Sequence, residues 1–179
     1  MARTTFQGPV RSLGGFYSQG PNAVLSVTSS VTLNPQDYAG RILTVGGSLA
    51  ANVVITLPTI NVSTDPSSSG PGADPNTLNN EGVVYTIWVP TTISTSSLKI
   101  GTDGTDKFVG TIFGVDTDSS NALVAYTAAA ANDFINFDGS TTGGVAGTWV
   151  QIFAIAANKY MVNGIALGSG TVATPFANS

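Results

Sequence analysis

The stretch VVYTIWVP (residues 83–90) is the clearest β-strand signal of the chain and indicates the fold class. Its odd-numbered residues are all apolar, and two of the even-numbered residues between them, Val84 and Trp88, are apolar as well. Successive side chains of a strand point to opposite faces of the sheet. A strand that is largely apolar on both faces is typical of a central position in a packed sandwich.

Further segments rich in β-branched residues lie on both sides of this strand, at a spacing of roughly 8–12 residues. They are 22–33 (with a break near Ser29–Ser30), 41–47, 52–58, 97–101, 107–115, 122–127, 133–139 and a hairpin with arms Trp149–Ala156 and Tyr160–Leu167. Asn158 falls near the tip of that hairpin, and asparagine tolerates the left-handed conformation that tight turns require. This pattern predicts an all-β protein with a single β-sandwich or jelly-roll-like domain over residues 22–168.

Three segments fall outside the main run of predicted strands. Residues 59–82 are rich in Pro, Ser and Gly and predict a long loop. Loops longer than about 12–15 residues are usually functional or mobile, although a tolerated surface insertion is the alternative. Residues 1–21 predict an extended N-terminal arm, and residues 169–179 predict a short C-terminal tail.

Charge is scarce along the whole chain, which limits the partners it can have. Only 9% of the residues are charged, against about 25% in a typical soluble domain. The net charge is −4 with six basic residues, so we expect no nucleic acid partner. The apolar runs are interrupted well before about 18 residues, and no signal-peptide pattern opens the chain. We therefore expect no membrane partner and synthesis in a cytosol.

The chain has neither cysteine nor histidine, so it offers no disulfide, no zinc site with those ligands and no histidine base. The segment GVDTDSSN (114–121) places Asp116, Asp118 and Ser120 at alternate positions, as in the first half of a calcium loop. Asn121 stands where that loop requires glycine, and Thr127 where it requires glutamate, so a polar turn is the preferred interpretation.

Asp103 and Asp106 occupy the segment TDGTD, and aspartate is common in such turns. Nothing in the sequence pairs any two of the ten acidic residues for glycoside hydrolysis. We therefore expect no catalytic residues, no cofactor, no metal and no enzymatic activity. The aromatic residues lie mostly in strand patterns, which predicts core packing. The alternative is an exposed aromatic platform of the kind a carbohydrate-binding module uses.

The N-terminal arm combines basic and apolar residues in a segment broken by glycine and proline. It contains Arg3 and Arg11 but no acidic residue. A mobile tail would not usually carry so many large apolar residues. We expect the arm to lie on another protein, with Phe6, Val10, Leu13 and Phe16 as apolar anchors and the two arginines paired with carboxylates. The alternative is an arm that wraps around its own domain.

The order ARTTFQGPVRSLGGF, VTLNPQDYAGRILTV, VVITLP, a loop and GVVYTIWV resembles the head decoration (cement) proteins of tailed bacteriophages, particularly marine and cyanobacterial ones. The end GIALGSGTVATPFANS is similar to the tails of such proteins. The resemblance covers the first 90 residues best and the last 30 loosely, and the insertion at 59–82 departs from it.

This resemblance implies a virion protein on the outer surface of the capsid, made in the host cytoplasm. It implies a β-rich homotrimer that binds the major capsid protein and stabilises the shell by bridging its subunits. Two other functions remain open at this point. One is a virion fibre or knob component that contacts the host surface, and the other is a carbohydrate-binding β-sandwich module.

Overall fold

A computed structural model describes Leu13 and residues 20–63, 79–118 and 122–178. These residues form twelve strands and one single-turn helix. In chain order they are β1 (Val24–Ser26), β2 (Val31–Thr32), α1 (Pro35–Tyr38), β3 (Ile42–Thr44), β4 (Val53–Thr56), β5 (Val84–Trp88), β6 (Leu98–Gly101), β7 (Lys107–Asp116), β8 (Leu123–Thr127), β9 (Phe134–Phe137), β10 (Trp149–Ala156), β11 (Lys159–Gly168) and β12 (Phe176–Ala177). None of the helical structure in the described part is long and apolar enough to cross a membrane.

The strands form two mixed sheets, which confirms the predicted all-β, sandwich-like fold. The seven-stranded sheet has the order β1-β3-β5-β10-β11-β7-β8, and the five-stranded sheet has the order β12-β9-β6-β4-β2. Aliphatic and aromatic side chains of both sheets form one buried cluster. The sandwich therefore encloses a single core.

The first six strands alternate between the two sheets. β1, β3 and β5 are parallel neighbours in the seven-stranded sheet, and β2, β4 and β6 are parallel neighbours in the five-stranded sheet. The predicted strand at 22–33 is thus two short strands in different sheets, with the break at Ser29–Ser30 as expected. The Ser30 hydroxyl accepts a hydrogen bond from the Val54 amide at 3.0 Å, which fixes the start of β2 against β4.

The second half of the chain adds two antiparallel hairpins to the seven-stranded sheet. One pairs β7 with β8, and the other pairs β10 with β11. Asn158 has a φ of 61° at the tip of the second hairpin, as predicted. The two hairpins meet where β7 and β11 run parallel over ten residue pairs.

Two segments differ in detail from what the sequence predicts. Residues 34–40, which separate the predicted strands 22–33 and 41–47, contain the helical turn α1, because the Asn34 side chain accepts a hydrogen bond from the Asp37 amide at 2.8 Å and Pro35 presets the backbone. The predicted C-terminal tail contributes β12 to the five-stranded sheet. Phe176 pairs with Ile135 and is buried, and this burial holds the segment in place.

The strand that the sequence marks as central is central in the structure. β5 lies between β3 and β10, and its inward side chains Tyr85 and Ile87 are buried in the core, as is Val89 directly after it. Its other side chains lie on the outer side of the sheet, where Trp88 is 42% exposed. The described residues therefore cover only one of its two apolar faces.

Gly139 should tolerate substitution worse than Gly104, although both have a left-handed backbone, with φ values of 77° and 87°. A Cβ at Gly139 would collide with the Ile93 carbonyl, whereas a Cβ at Gly104 would meet nothing within 4 Å. Left-handed strain costs roughly 1–2 kcal/mol for either alanine, and overpacking adds about 1–3 kcal/mol at Gly139. Urea unfolding of Gly139→Ala and Gly104→Ala measures the difference, and equal losses of stability would contradict this account.

Candidate interaction surface

The side chains of the seven-stranded sheet that point away from the core form a surface that we call the outer face. The strand registers arrange these side chains in rows that cross the sheet. One apolar row contains Trp88, Trp149, Ile165, Phe113 and Ala125. A second apolar row contains Val84, Phe153, Met161 and Val109. A polar row lies between them and contains Thr86, Gln151, Asn163, Thr111 and Thr127.

The apolar rows are open to solvent at several large side chains. Trp88 is 42% exposed and Phe113 is 45% exposed, and Met161 in the second row is also exposed. Isolated exposed apolar residues are normal, but contiguous ones mark surfaces that contact other molecules. The outer face is therefore the strongest candidate for an interaction surface among the described residues.

The polar row is partly satisfied within the sheet itself. The Gln151 side-chain amide donates to the Thr86 hydroxyl at 3.3 Å, and the hydroxyls of Thr111 and Thr127 lie 3.2 Å apart. Because these four side chains already have partners, burying them beneath another surface would cost less than burying unpaired polar groups.

Charge is confined to one end of the outer face. Lys107 and Lys159 are register partners at the start of β7 and β11, and no described strand residue of this face is acidic. The Lys107 ammonium donates to the buried Asp133 carboxylate at 2.9 Å and to the Gly104 carbonyl at 2.6 Å. These bonds hold Lys107 toward the loops, so the rows between Trp88 and Phe113 form a neutral surface.

Of the predicted arm residues, Leu13 alone belongs to the described part of the chain, and its side chain is 88% exposed. The others, Arg3, Phe6, Val10, Arg11 and Phe16, lie outside the described residues. The predicted role of the arm in binding a partner therefore stays a prediction.

The prediction that the aromatic residues pack in the core is only partly correct. Tyr85, Phe108 and Phe137 are fully buried, as expected, but Trp88 and Phe113 lie on the outer face. Aromatic residues occur on both the core side and the outer side of the strands. Strand patterns alone therefore could not distinguish the buried aromatic residues from the exposed ones. The signal in the sequence is the second apolar face of the stretch 83–90, which the structure leaves partly exposed at Trp88.

The acidic residues of the segment 114–121 behave as turn residues where the structure describes them. The Asp116 carboxylate accepts from the Asp118 amide at 3.0 Å, and the Asp118 carboxylate accepts from the Gly170 amide at 2.7 Å. Ser120 and Asn121 lie outside the described residues. Across the described ranges, no three Asp, Glu, His or Cys side chains group together as metal ligands could.

Asp103 and Asp106 stabilise the loops at the end of the sandwich near the start of β7. Asp103 is an exposed residue, yet the partial burial of its carboxylate is the largest single effect on its pKa and raises it. Hydrogen bonds from the amides of Asp106 and Thr105 and from the Thr59 hydroxyl at 2.7 Å outweigh this effect and lower the pKa of Asp103. These contacts join the loop after β4 to the turn before β7.

Asp106 has the opposite electrostatic environment, because its side chain is fully buried. Burial raises the pKa of Asp106. A hydrogen bond from the Ile60 amide at 2.9 Å partly offsets this effect, and the nearby charge of Asp103 adds to it. The other carboxylate oxygen of Asp106 has no hydrogen-bond partner among the described residues. This aspartate is a buried structural group rather than an accessible ligand.

Comparison of the chain with protein-family models, with curated proteins and with solved structures found no match. The outer face is therefore defined by the chain's own residues and registers.

Replacing Asp106 by asparagine should change the pH dependence of stability. A carboxyl group whose pKa is raised on folding stabilises the folded protein while the group is protonated. This stability is lost as the pH rises through the folded-state pKa. Asparagine does not titrate, so the stability of Asp106→Asn relative to wild type should be greater at pH 7 than at pH 3.5. Urea unfolding at both pH values measures this difference.

The matched control is Asp103→Asn, for which the sign is reversed. The pKa of Asp103 is lowered on folding, so its contribution is present at pH 7 and is lost as the pH falls through the folded-state value. This variant should be relatively less stable at pH 7 than at low pH. The assignment would be wrong if both variants shifted in the same direction.

Proposed function

We propose that this chain is a capsid decoration (cement) protein of a tailed bacteriophage. It binds the outer surface of the icosahedral head as a homotrimer and stabilises the head by bridging subunits of the major capsid protein. The observation that carries the proposal is the outer face, a neutral and partly apolar sheet surface that fits association with protein. The sequence resemblance to decoration proteins supports the same function.

The outer face supplies the contact between copies of the chain. Burial of Trp88, Phe113 and Met161 removes apolar area from water, which stabilises an interface by about 25 cal/mol per Å² before the costs of association are subtracted. The neutral polar row between the apolar rows adds no desolvated charge. Three copies associated in this way present three N-terminal arms.

The arms supply the contact with the capsid. Phe6, Val10, Leu13 and Phe16 insert between capsid subunits as apolar anchors, and Arg3 and Arg11 pair with capsid carboxylates. Because the three arms of a trimer are linked, binding of the first raises the effective concentration of the others. A trimer that binds the assembled shell, but not its separated subunits, shifts the equilibrium toward the shell.

A second candidate function is supported by a particular feature of the outer face. Trp88 and Phe113 are exposed in one row, beside the carboxamides of Gln151 and Asn163 in the next. Ligand sites commonly combine aromatic surface with a few placed polar groups. This combination suits a carbohydrate, so a carbohydrate-binding module is the alternative to decoration.

Binding to phage heads distinguishes the decoration function from carbohydrate binding. The purified chain is mixed with heads that lack it, sedimented and quantified in the pellet, and its glycan affinity is measured in parallel. We expect saturable binding to heads, and weaker binding by a chain that lacks residues 1–19. Full-length chain that stays in the supernatant would overturn the decoration function, and glycan affinity in the same preparation would establish the alternative.

Trp88→Glu should dissociate the trimer, because it places a charge in the apolar row that self-association buries. Light scattering should give about 54 kDa for wild type, three chains of 18.1 kDa, and a lower mass for the variant. Thr32→Glu is the matched control, since it adds the same charge on an exposed strand residue of the other sheet and should leave the mass unchanged. Equal masses for Trp88→Glu and wild type would show that the outer face does not form the trimer contact.

A further inference from the structure

The strand β8 is the longest free sheet edge in the described part of the chain. The other three edge strands are β1, with three residues, and β2 and β12, with two residues each. β8 has five residues and pairs on one side only, with β7. Short edges limit pairing with other chains, so β8 alone offers a useful length of free backbone.

The residues of β8 lack the features that usually protect a sheet edge. Its sequence is LVAYT, without a charged residue or proline. Leu123 is 67% exposed, and Val124 is exposed as well. Edge strands that stay unpaired usually carry lysine, proline or a bulge. β8 therefore has the composition of a strand that pairs with another one.

The hydrogen bonds to β7 show which backbone groups of β8 are free. The Asp116 amide donates to the Ala122 carbonyl at 2.8 Å, and the Ala128 amide donates to the Gly110 carbonyl at 3.0 Å. Backbone groups alternate in direction along an antiparallel strand. The N–H and C=O groups of Leu123, Ala125 and Thr127 therefore point away from β7.

We propose that β8 pairs with β8 of a second copy of the chain, antiparallel about a two-fold axis at Ala125. In this register Ala125 lies opposite Ala125 of the second copy, and Leu123 lies opposite Thr127. All three outward N–H groups of each strand then meet the outward C=O groups of the other. The row from Trp88 to Ala125 continues across the axis into the second copy.

A second copy fits this edge better than a charged partner does. The contact is isologous, so the same surface must complement itself, and like charges would face each other if the strand carried any. β8 carries none, and its central residue is small enough for close approach. A two-fold contact cannot form within a three-fold ring, so it would join one trimer of the proposed function to the next. It leaves Trp88 and the arm available for their own contacts.

Disulfide trapping tests the contact, because the chain has no cysteine of its own. Residues that exchange both hydrogen bonds across antiparallel strands have Cα atoms about 5.5 Å apart, within the range that a disulfide spans. Purified Ala125→Cys under mild oxidation should give a non-reducing band at about 36 kDa, two chains of 18.1 kDa. Val124→Cys is the control, since it points to the opposite face and lies two residues out of register with its symmetry mate.

The register has its own test. A mixture of Leu123→Cys and Thr127→Cys should give mainly the mixed dimer, whereas each variant alone should crosslink several-fold less. Failure of Ala125→Cys to crosslink, or equal crosslinking by Val124→Cys, would overturn the proposal. If Ala125→Cys crosslinks only after removal of residues 1–19, the arm occupies the edge instead, which also overturns it.

Ala125→Pro provides a measurement without crosslinking. The Ala125 amide points away from β7, so proline there removes no hydrogen bond of the β7–β8 ladder. Sedimentation of wild type at rising concentration should show that the mass of the species present at low concentration doubles. Ala125→Pro should not show this doubling, and its circular dichroism spectrum should match that of wild type. These experiments use neither heads nor the Trp88→Glu variant, so their failure is separate from failure of the decoration function.

Discussion

The parallel ladder between β7 and β11 is the contact on which the seven-stranded sheet depends. It joins the two hairpins over ten residue pairs, from Lys107 and Lys159 to Asp116 and Gly168. Glycine is required at one place in it, because a Cβ at Gly110 would collide with the Val162 carbonyl of β11. Without this close approach the hairpins would not form one continuous sheet, and the rows of the outer face would be interrupted between Met161 and Val109.

Much of the fold could be predicted from the sequence because many strands and turns follow from local residue patterns. The stretch 83–90 and the hairpin with Asn158 at its tip have the alternation and turn chemistry of strands, and the structure confirms them. The alternation of the first six strands between two sheets has no local signature, since a strand does not identify its neighbour. The pairing of Phe176 with Ile135 was missed for the same reason, because two residues show no periodicity.

The candidate site was harder to predict than the fold, for a physical reason. Composition alone predicts the arm, since Arg3 and Phe6 stand in a segment rich in glycine and proline. The outer face exists only when Trp88, Trp149 and Phe113 are brought into one row by the register of three separate strand pairings. Single strands show that they have two apolar faces, but only the sheet shows which of these faces the core covers.

The two sheets differ in how they meet solvent, and this difference explains where association can occur. On the outer side of the five-stranded sheet, Lys99 pairs with Asn136, and the Phe134 ring lies over Gly101, where a Cβ would strike it. Both edges of that sheet are strands of only two residues. The seven-stranded sheet combines a neutral apolar face with the five-residue edge β8, so its face and its edge can bind different copies at the same time. The proposed decoration function would use such a division, because contacts through the face and through the edge would extend a layer of copies in two directions.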